Sequence, residues 1–293
     1  MKGPLRRHRR ATSVTTSTAV VMVAVAITTT VAMAGCMVAP PPAGGPSSGP
    51  TATASREPLE PTPATSGPCH RLSAGEVRFD TGEAQRVVFA LGHQRETTEA
   101  TLTSCLRLQD GYAEEWVQPA RIGSGGFGPV DTTEVDTLQT PTGSYTMTEG
   151  FGRENPGTEL EYHELSPDSH WGGRPGPHFN QYFEGEGQWP DEGLWELMEE
   201  GLYEQAVVVN FNRPPDTEAI PGLSFAIFLH AGMAESWGCV STDTDTVVRV
   251  LHNAVPGDRF VLGAEGDVFT GGSATTEGPA DDPAESGTGV RNQ

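Results

Sequence analysis

Between about residue 70 and residue 265 the apolar residues come in short runs, and this pattern limits the possible fold more than any other feature. "EVRFD" (76–80), "QRVVFALG" (85–92), "TEATLTSCLRLQ" (98–109), "GYAEEWVQPARIG" (111–123), "GSYTMTEGFG" (143–152), "QAVVVNFN" (205–212) and "FAIFLHAG" (225–232) are β-branched or aromatic, each bounded by Gly, Pro, Asn or Asp. Runs of this length and composition read as strands. Two stretches read as helices instead. In "PDEGLWELMEEGLYEQ" (190–205), Leu194, Leu197, Met198 and Leu202 recur at helical spacing with acids elsewhere. In "STDTDTVVRVLHNAVPGD" (241–258), Thr242 is placed to cap, Val247, Val250 and Leu251 face inward, and the Pro-Gly pair stops the helix. No internal repeat is visible. The expectation is one mainly β domain, a β-sandwich or mixed sheet with one or two helices.

The ends of the chain are of a different kind. "MKGPLRRHRR" precedes an apolar stretch from Ala19 to Met33 and a small-residue exit. That stretch falls short of the roughly 20 residues needed to cross a bilayer, so residues 1–35 read as an export signal rather than a transmembrane anchor. Met33-Ala34-Gly35-Cys36 resembles a bacterial lipobox, which implies a lipid-modified Cys36 as the first mature residue and a membrane anchor. Residues 36–68, rich in Pro, Gly, Ser and Thr, read as a disordered tether, and 269–293 as a disordered tail. The domain proper is assigned to 69–268.

Charge and cysteines narrow the function. The first 35 residues carry five of the 18 basic residues and none of the 39 acidic ones, so the mature chain holds 13 against 39, a net charge of −26. Nothing in that balance neutralises phosphates, and nucleic acid is excluded as a partner. With Cys36 lipidated, three cysteines remain in an oxidising compartment. Pairing Cys69 with Cys105 pins the start of the domain and leaves Cys239 free, although sequence does not dictate connectivity.

A free thiol kept outside the cell needs a reason. In "LSFAIFLH" (223–230), Phe225, Ile227 and Leu229 alternate with Ala226, Phe228 and His230, so His230 emerges at a strand end. Eight residues then lead to Cys239, a loop able to bring imidazole and thiol within hydrogen-bond reach. An imidazole that takes the thiol proton raises nucleophilicity directly. Gly238 allows close backbone approach, and amides at a strand-to-helix turn can stabilise a tetrahedral oxyanion.

His230, "SWGCV" (236–240), the following helix, "PGD" (256–258) and "RFVLG" (259–263) together resemble the catalytic core of the YkuD-type L,D-transpeptidase family, in an actinobacterial lipoprotein branch. "TPTGSYTM" (140–147), "NPGTELEYHELSPDSHWGGRPGPHFNQY" (155–182) and "YEQAVVVNFNRP" (203–214) extend the resemblance over roughly residues 110–263. It implies an L,D-transpeptidase-like β fold with Cys239 as nucleophile and His230 as base. Backbone amides around Trp237, Gly238 and Cys239 would form the oxyanion hole, and Ser236 would shape the turn. The implied reaction is acyl transfer on peptidoglycan stem peptides through a cysteine thioester, giving 3→3 cross-links without metal or cofactor. Trp237 stands where the family most often has His, Ser241 where it commonly has Arg, and the loop before the cysteine is short. Wall-peptide hydrolysis, of the L,D-carboxypeptidase or amidase kind, and a catalytically silent wall-binding lipoprotein therefore stay open.

Other polar residues have two readings each. Trp171, Asn180 and Asn212 either line a substrate groove or satisfy buried loops and strand ends. His163, His170 and His178 lie close together in sequence near Glu164 and Asp168, but their spacing fits no tight metal motif, so no metal is assigned.

Overall fold

The computed structural model describes residues 61–271. The export signal, Cys36, the tether as far as residue 60 and the tail from residue 272 lie outside the described residues. The chain enters through helix α1 (Gly67–Ser73) and strands β1 (Arg86–Gly92), β2 (Glu99–Leu108), β3 (Gly111–Arg121), β4 (Phe127–Val130) and β5 (Thr140–Gly152). Short strands β6 (Glu161–Glu164), β7 (Ser169–Trp171), β8 (Tyr182–Glu184) and β9 (Glu192–Gly193) lead to helix α2 (Leu194–Glu199). Strands β10 (Gln205–Val209), β11 (Phe228–Ala231) and β12 (Val240–Thr242), helix α3 (Thr244–Asn253), strand β13 (Arg259–Ala264) and helix α4 (Glu265–Val268) complete it.

The mainly β expectation is met by a mixed sheet in the order β10-β11-β12-β3-β2-β1-β13-β5-β4, with β6 also on β5. Strand β5 turns a corner. It pairs with β13 over residues 143–146 and with β10 over residues 147–152, so the sheet closes on itself and β10 has partners on both sides. Closure protects the inner strands' backbone hydrogen bonds from solvent and from foreign strands.

Three apolar layers follow from strand alternation. The inner layer joins Val88, Leu102, Met147, Val207, Leu229, Val240 and Phe260 to Val247, Val250 and Leu251 of α3. A second layer, on the other side of β1 and β13, buries Phe89 and Val261 under Leu72 of α1 and Phe269, and it contains the Cys69–Cys105 disulfide. The third lies on the other side of β10 and β11, where Ala206, Val208 and Phe228 pack against Trp171, Leu194, Met198 and Tyr203. The small sheet β8-β7-β9 and helix α2 thus roof β10 and β11, and this third layer contains Cys239.

Several boundaries differ from expectation, each for a local reason. "EVRFD" makes a single bridge, Val77 to Phe269, and no strand. The helix expected over 190–205 shrinks to α2 because Glu192 and Gly193 pair with Trp171 and His170 of β7, while Gly201 at φ +86° follows its last turn. Thr242 does not cap α3: it ends β12 and donates to Pro119 O at 2.9 Å. Asp243 caps instead, accepting from Thr246 N at 2.8 Å and Thr246 Oγ1 at 2.7 Å, a contact worth about 1 kcal/mol. Among the described residues four helices stand where one or two were expected, since α1 and α4 are too short to show periodicity.

The domain also runs past both assigned limits. Ala64 N donates to Tyr112 O at 2.8 Å, and Phe269 is buried beneath the Arg71 guanidinium and beside Phe89. Strands from the 70–110 region sit inside the sheet between β3 and β13.

Candidate active site

The parallel pairing of β11 with β12 decides which side chains meet. Leu229 stands opposite Val240 and His230 opposite Ser241. Leu229 and Val240 point into the inner layer, so His230 and Ser241 point the other way, as do Phe228 and Cys239. Extended by one residue, this register places Cys239 beside Phe228, a diagonal neighbour of His230 on the same face. Both residues line one cavity of about 690 Å³.

The turn that presents Cys239 is held by its own side chains. Ser236 Oγ donates to Cys239 O at 2.6 Å and accepts from Gly238 N at 3.0 Å. Gly238 has φ +149°, and a Cβ there would lie 3.0 Å from Gln139 O and 3.2 Å from Ile227 Cδ1, so only glycine fits without strain. Trp237 projects from the turn, 74% exposed at the cavity mouth, with Trp189 also exposed on the lining. Because Ser236 already engages the Gly238 amide, the oxyanion donors expected around this turn reduce to the amides of Trp237 and Cys239.

His230 is buried. Its Nδ1 lies 2.6 Å from Ala231 O, and since a carbonyl only accepts, Nδ1 carries the hydrogen and Nε2 is left as the basic nitrogen. Burial holds the imidazole below its ordinary value, against the carbonyls of Ala231 and Leu202, which favour its protonation. The thiol does not donate to this ring: Cys239 Sγ donates to Ala226 O at 3.1 Å. Burial pushes the Cys239 thiol well up and the nearby Glu192 charge adds to the effect, while hydrogen bonds from the Phe228 backbone and Tyr203 hydroxyl act the other way. The pair at rest is a neutral thiol and a neutral imidazole, each engaged by a backbone carbonyl.

Ala226 is itself held in place. It has φ +54°, a left-handed conformation that an L-residue adopts at a cost of about 1–3 kcal/mol. Its amide donates to Asn180 Oδ1 at 3.0 Å. The same oxygen accepts from Trp171 Nε1 at 2.9 Å, and Asn180 Nδ2 donates to Phe211 O and Asn212 O at 3.0 and 2.9 Å. Asn212 in turn bonds the backbone of Ile220 and Ser224. Trp171, Asn180 and Asn212 therefore do not line the cavity, which corrects the groove reading: all three are buried and spend their polar atoms on backbone or on one another.

The three histidines of the 163–178 region are differently engaged. His163 bonds Glu149 at 3.0 Å and stacks on Tyr182, whereas His170, which lines the cavity with Nδ1 on Asp168 O, and His178 both stack on Phe183. Glu149 also pairs with Arg213 at 2.5 Å. Burial works against its charge, but His163 and Arg213 together hold its carboxyl below the usual range. Among the described residues no group of three or more His, Cys, Asp or Glu side chains is arranged to hold a metal ion.

Two cavity residues were not singled out in the sequence, Glu192 and Tyr203. Both sit in the stretch read as one amphipathic helix, and no spacing rule links them. Ser241 donates to Ala234 O at 2.6 Å and tethers the loop between His230 and Cys239. Asp191, Glu192, Glu196 and Glu235 line the cavity, and among the described residues no Arg or Lys does.

No protein-family model matches this chain, and no curated protein matches it. Among solved structures it is similar to Bd1075 of Bdellovibrio bacteriovorus, at 15% identity and a TM-score of 0.35, over 67% of this chain and 53% of that one. It is also similar to an L,D-transpeptidase from Mycobacterium smegmatis, at 13% identity and a TM-score of 0.30, over 62% and 59%. The chain thus spans between half and two thirds of these structures' length, and likeness at this level carries no inference about what it does.

Proposed function

We propose that this chain is a cysteine acyltransferase of the cell wall, an L,D-transpeptidase that joins peptidoglycan stem peptides. The observation that carries the reading is the placement of Cys239 and His230 on one face of paired strands, in one cavity, with the imidazole tautomer set by Ala231 O. The substrate class comes from the sequence resemblance.

In this reading, the Cys239 side chain rotates away from Ala226 O, and His230 Nε2 takes the thiol proton as a peptide carbonyl enters the cavity. The thiolate attacks the carbonyl carbon of the third stem residue, and the amides of Trp237 and Cys239 receive the oxyanion. Collapse breaks the bond to the terminal D-Ala, whose amine leaves with the proton held by His230, and a thioester remains on Cys239. The amine of a second stem peptide attacks that thioester, gives its proton to His230, and expels the thiolate with a 3→3 cross-link formed. Protonation of the thiolate by His230 restores the neutral pair. Lipidation of Cys36 would hold the domain on the outer face of the membrane, within reach of the wall.

One observation favours a silent wall-binding protein instead: the thiol is buried, pushed up, and donates to a backbone carbonyl. Intact-mass measurement of the full chain after exposure to a carbapenem decides between the two. A single adduct is expected on Cys239, absent in Cys239→Ala and markedly slower in His230→Ala. Unmodified protein after prolonged exposure rejects the enzyme. With stem tetrapeptide as substrate, product mass separates a joined dimer from a trimmed tripeptide, and so transfer from hydrolysis.

A further inference from the structure

The chain has five tryptophans. Trp171 is fully buried, and Trp116 and Trp195 pack, partly buried, against the inner and third layers. Trp189 and Trp237 do neither: they are 80% and 74% exposed, and both lie on the lining of the cavity that holds Cys239. One exposed indole needs no explanation. Two on one cavity, supplied by the segment ahead of β9 and by the turn ahead of β12, offer large aromatic faces to whatever enters.

The same cavity carries acids of one sign. Asp191 is committed to Arg174 at 2.9 Å, and Glu192 accepts the Tyr203 hydroxyl at 3.0 Å. Glu196 and Glu235 are exposed, and among the described residues neither has a salt-bridge partner; Glu235 Oε1 accepts from Thr98 Oγ1 at 3.0 Å. The two lining histidines, His170 and His230, each hold a backbone carbonyl through Nδ1. Carboxylates in a concave site draw in a cation and repel an anion. An indole face attracts the same cation through its quadrupole. A neutral apolar group would meet the indoles and gain nothing from the carboxylates.

We propose that this cavity selects a peptide with a lone cationic side chain of the lysine type, recognised by the indoles of Trp189 and Trp237 and the carboxylates of Glu196 and Glu235. It discriminates against the same side chain when a free carboxylate stands beside the ammonium, because no Arg or Lys lines the cavity to pair with that carboxylate. The proposal rests on the reading of the cavity as the peptide site of a Cys239 acyltransferase, and it names the residue that is acylated. Trp237 precedes Cys239 by two positions, so a side chain held on its indole belongs to the residue whose carbonyl is attacked or to one beside it. The third stem residue is then one with a net positive side chain.

Binding is measured by tryptophan fluorescence and calorimetry on the full chain carrying Cys239→Ala, which removes the chemistry. Three stem tetrapeptides differ only at the third residue: lysine, norleucine, or diaminopimelate with its side-chain carboxylate free. The lysine peptide is expected to bind about tenfold tighter than either of the others at low salt, with a lead that shrinks as salt is raised. Glu196→Gln with Glu235→Gln should remove most of that lead, and Trp189→Ala or Trp237→Ala should weaken the lysine peptide about threefold. All four side chains are exposed, so the variants should keep the parent's unfolding midpoint. A norleucine or diaminopimelate peptide that binds as tightly as the lysine one overturns the proposal, and so does a lysine preference that survives the paired Gln substitutions. Thioester mass on the parent chain scores the enzyme reading separately. Thioester formed equally fast from all three peptides overturns the selection and leaves the enzyme, whereas a lysine preference in binding with no thioester from any peptide overturns the enzyme and leaves the cationic site. Neither binding nor thioester with any of the three overturns both.

Discussion

Asn180 holds Ala226, and Ala226 holds the thiol: the Asn180 side-chain oxygen accepts the Ala226 amide at 3.0 Å, and the Ala226 carbonyl accepts Cys239 Sγ at 3.1 Å. Asn180 and Ala226 both have left-handed backbone, each at φ +54°, so the clamp and the strain coincide. A buried amide side chain thereby sets where the sulfur rests without touching the cavity.

Asn180→Ala is expected to lower stability by about 2–4 kcal/mol, because it strands the Ala226 amide, the Trp171 indole N–H and two carbonyls in a dry interior. Urea unfolding measures the loss. Cys239 in the variant is expected to react faster with a small alkylating agent, its resting carbonyl no longer being fixed. A stability change within about 0.5 kcal/mol would contradict the clamp.

Gly238→Ala is expected to cost about 1–3 kcal/mol, since the residue must hold φ +149° with a Cβ crowded by Gln139 O and Ile227. The larger effect should fall on acylation, because the same shift moves the Cys239 amide. Comparing adduct rates with unfolding midpoints tests whether the reaction loses more than the fold.

Stability should depend on pH through two buried groups of opposite sense. Glu192, raised from 4.5 to about 7, binds its proton more tightly when folded, so its contribution is full below about 4.5 and is lost as pH rises through 7. The loss amounts to at most about 3 kcal/mol. His230, lowered by burial, binds its proton less tightly when folded, so its contribution is present above about 6.5 and is lost as pH falls. Urea midpoints from about pH 4.5 to 8 should therefore show Glu192→Gln gaining on the parent up to neutrality and holding a constant lead beyond. A lead that does not vary with pH rules out the linkage.

Removing the disulfide by Cys69→Ala with Cys105→Ala is expected to cost about 4 kcal/mol, from the loop entropy of a 36-residue separation. The bond lies in the layer under α1, whereas Cys239 belongs to the layer roofed by α2. The variant should accordingly melt earlier yet keep the parent's Cys239 reactivity well below its transition. Equal losses in both would tie the two layers together.

Much of this molecule is local enough to read from its residues. Strands β1, β2, β3, β5, β10 and β11 coincide with the β-branched and aromatic runs, since a strand buried on one or both faces must carry such residues wherever it pairs. Helix α3 kept its apolar face, with Val247, Val250 and Leu251 buried, and missed only its cap by one residue. The alternation of "LSFAIFLH" put Phe228 and His230 on one face, and the register agrees. Phe225 left its expected face because the left-handed Ala226 interrupts the period of two.

By itself, then, the sequence determined the mainly β class, the helix after the thiol, and the two residues whose chemistry is in question, because each of those follows from neighbours within a few positions. Tertiary structure alone decided the closure through β5, the conversion of Trp171, Asn180 and Asn212 from groove candidates into buried brackets, and the arrival of Glu192 and Tyr203 beside Cys239. Those outcomes depend on pairings between segments tens of residues apart, where the free energy of burying a face or satisfying an amide outweighs local preference and leaves no periodic trace.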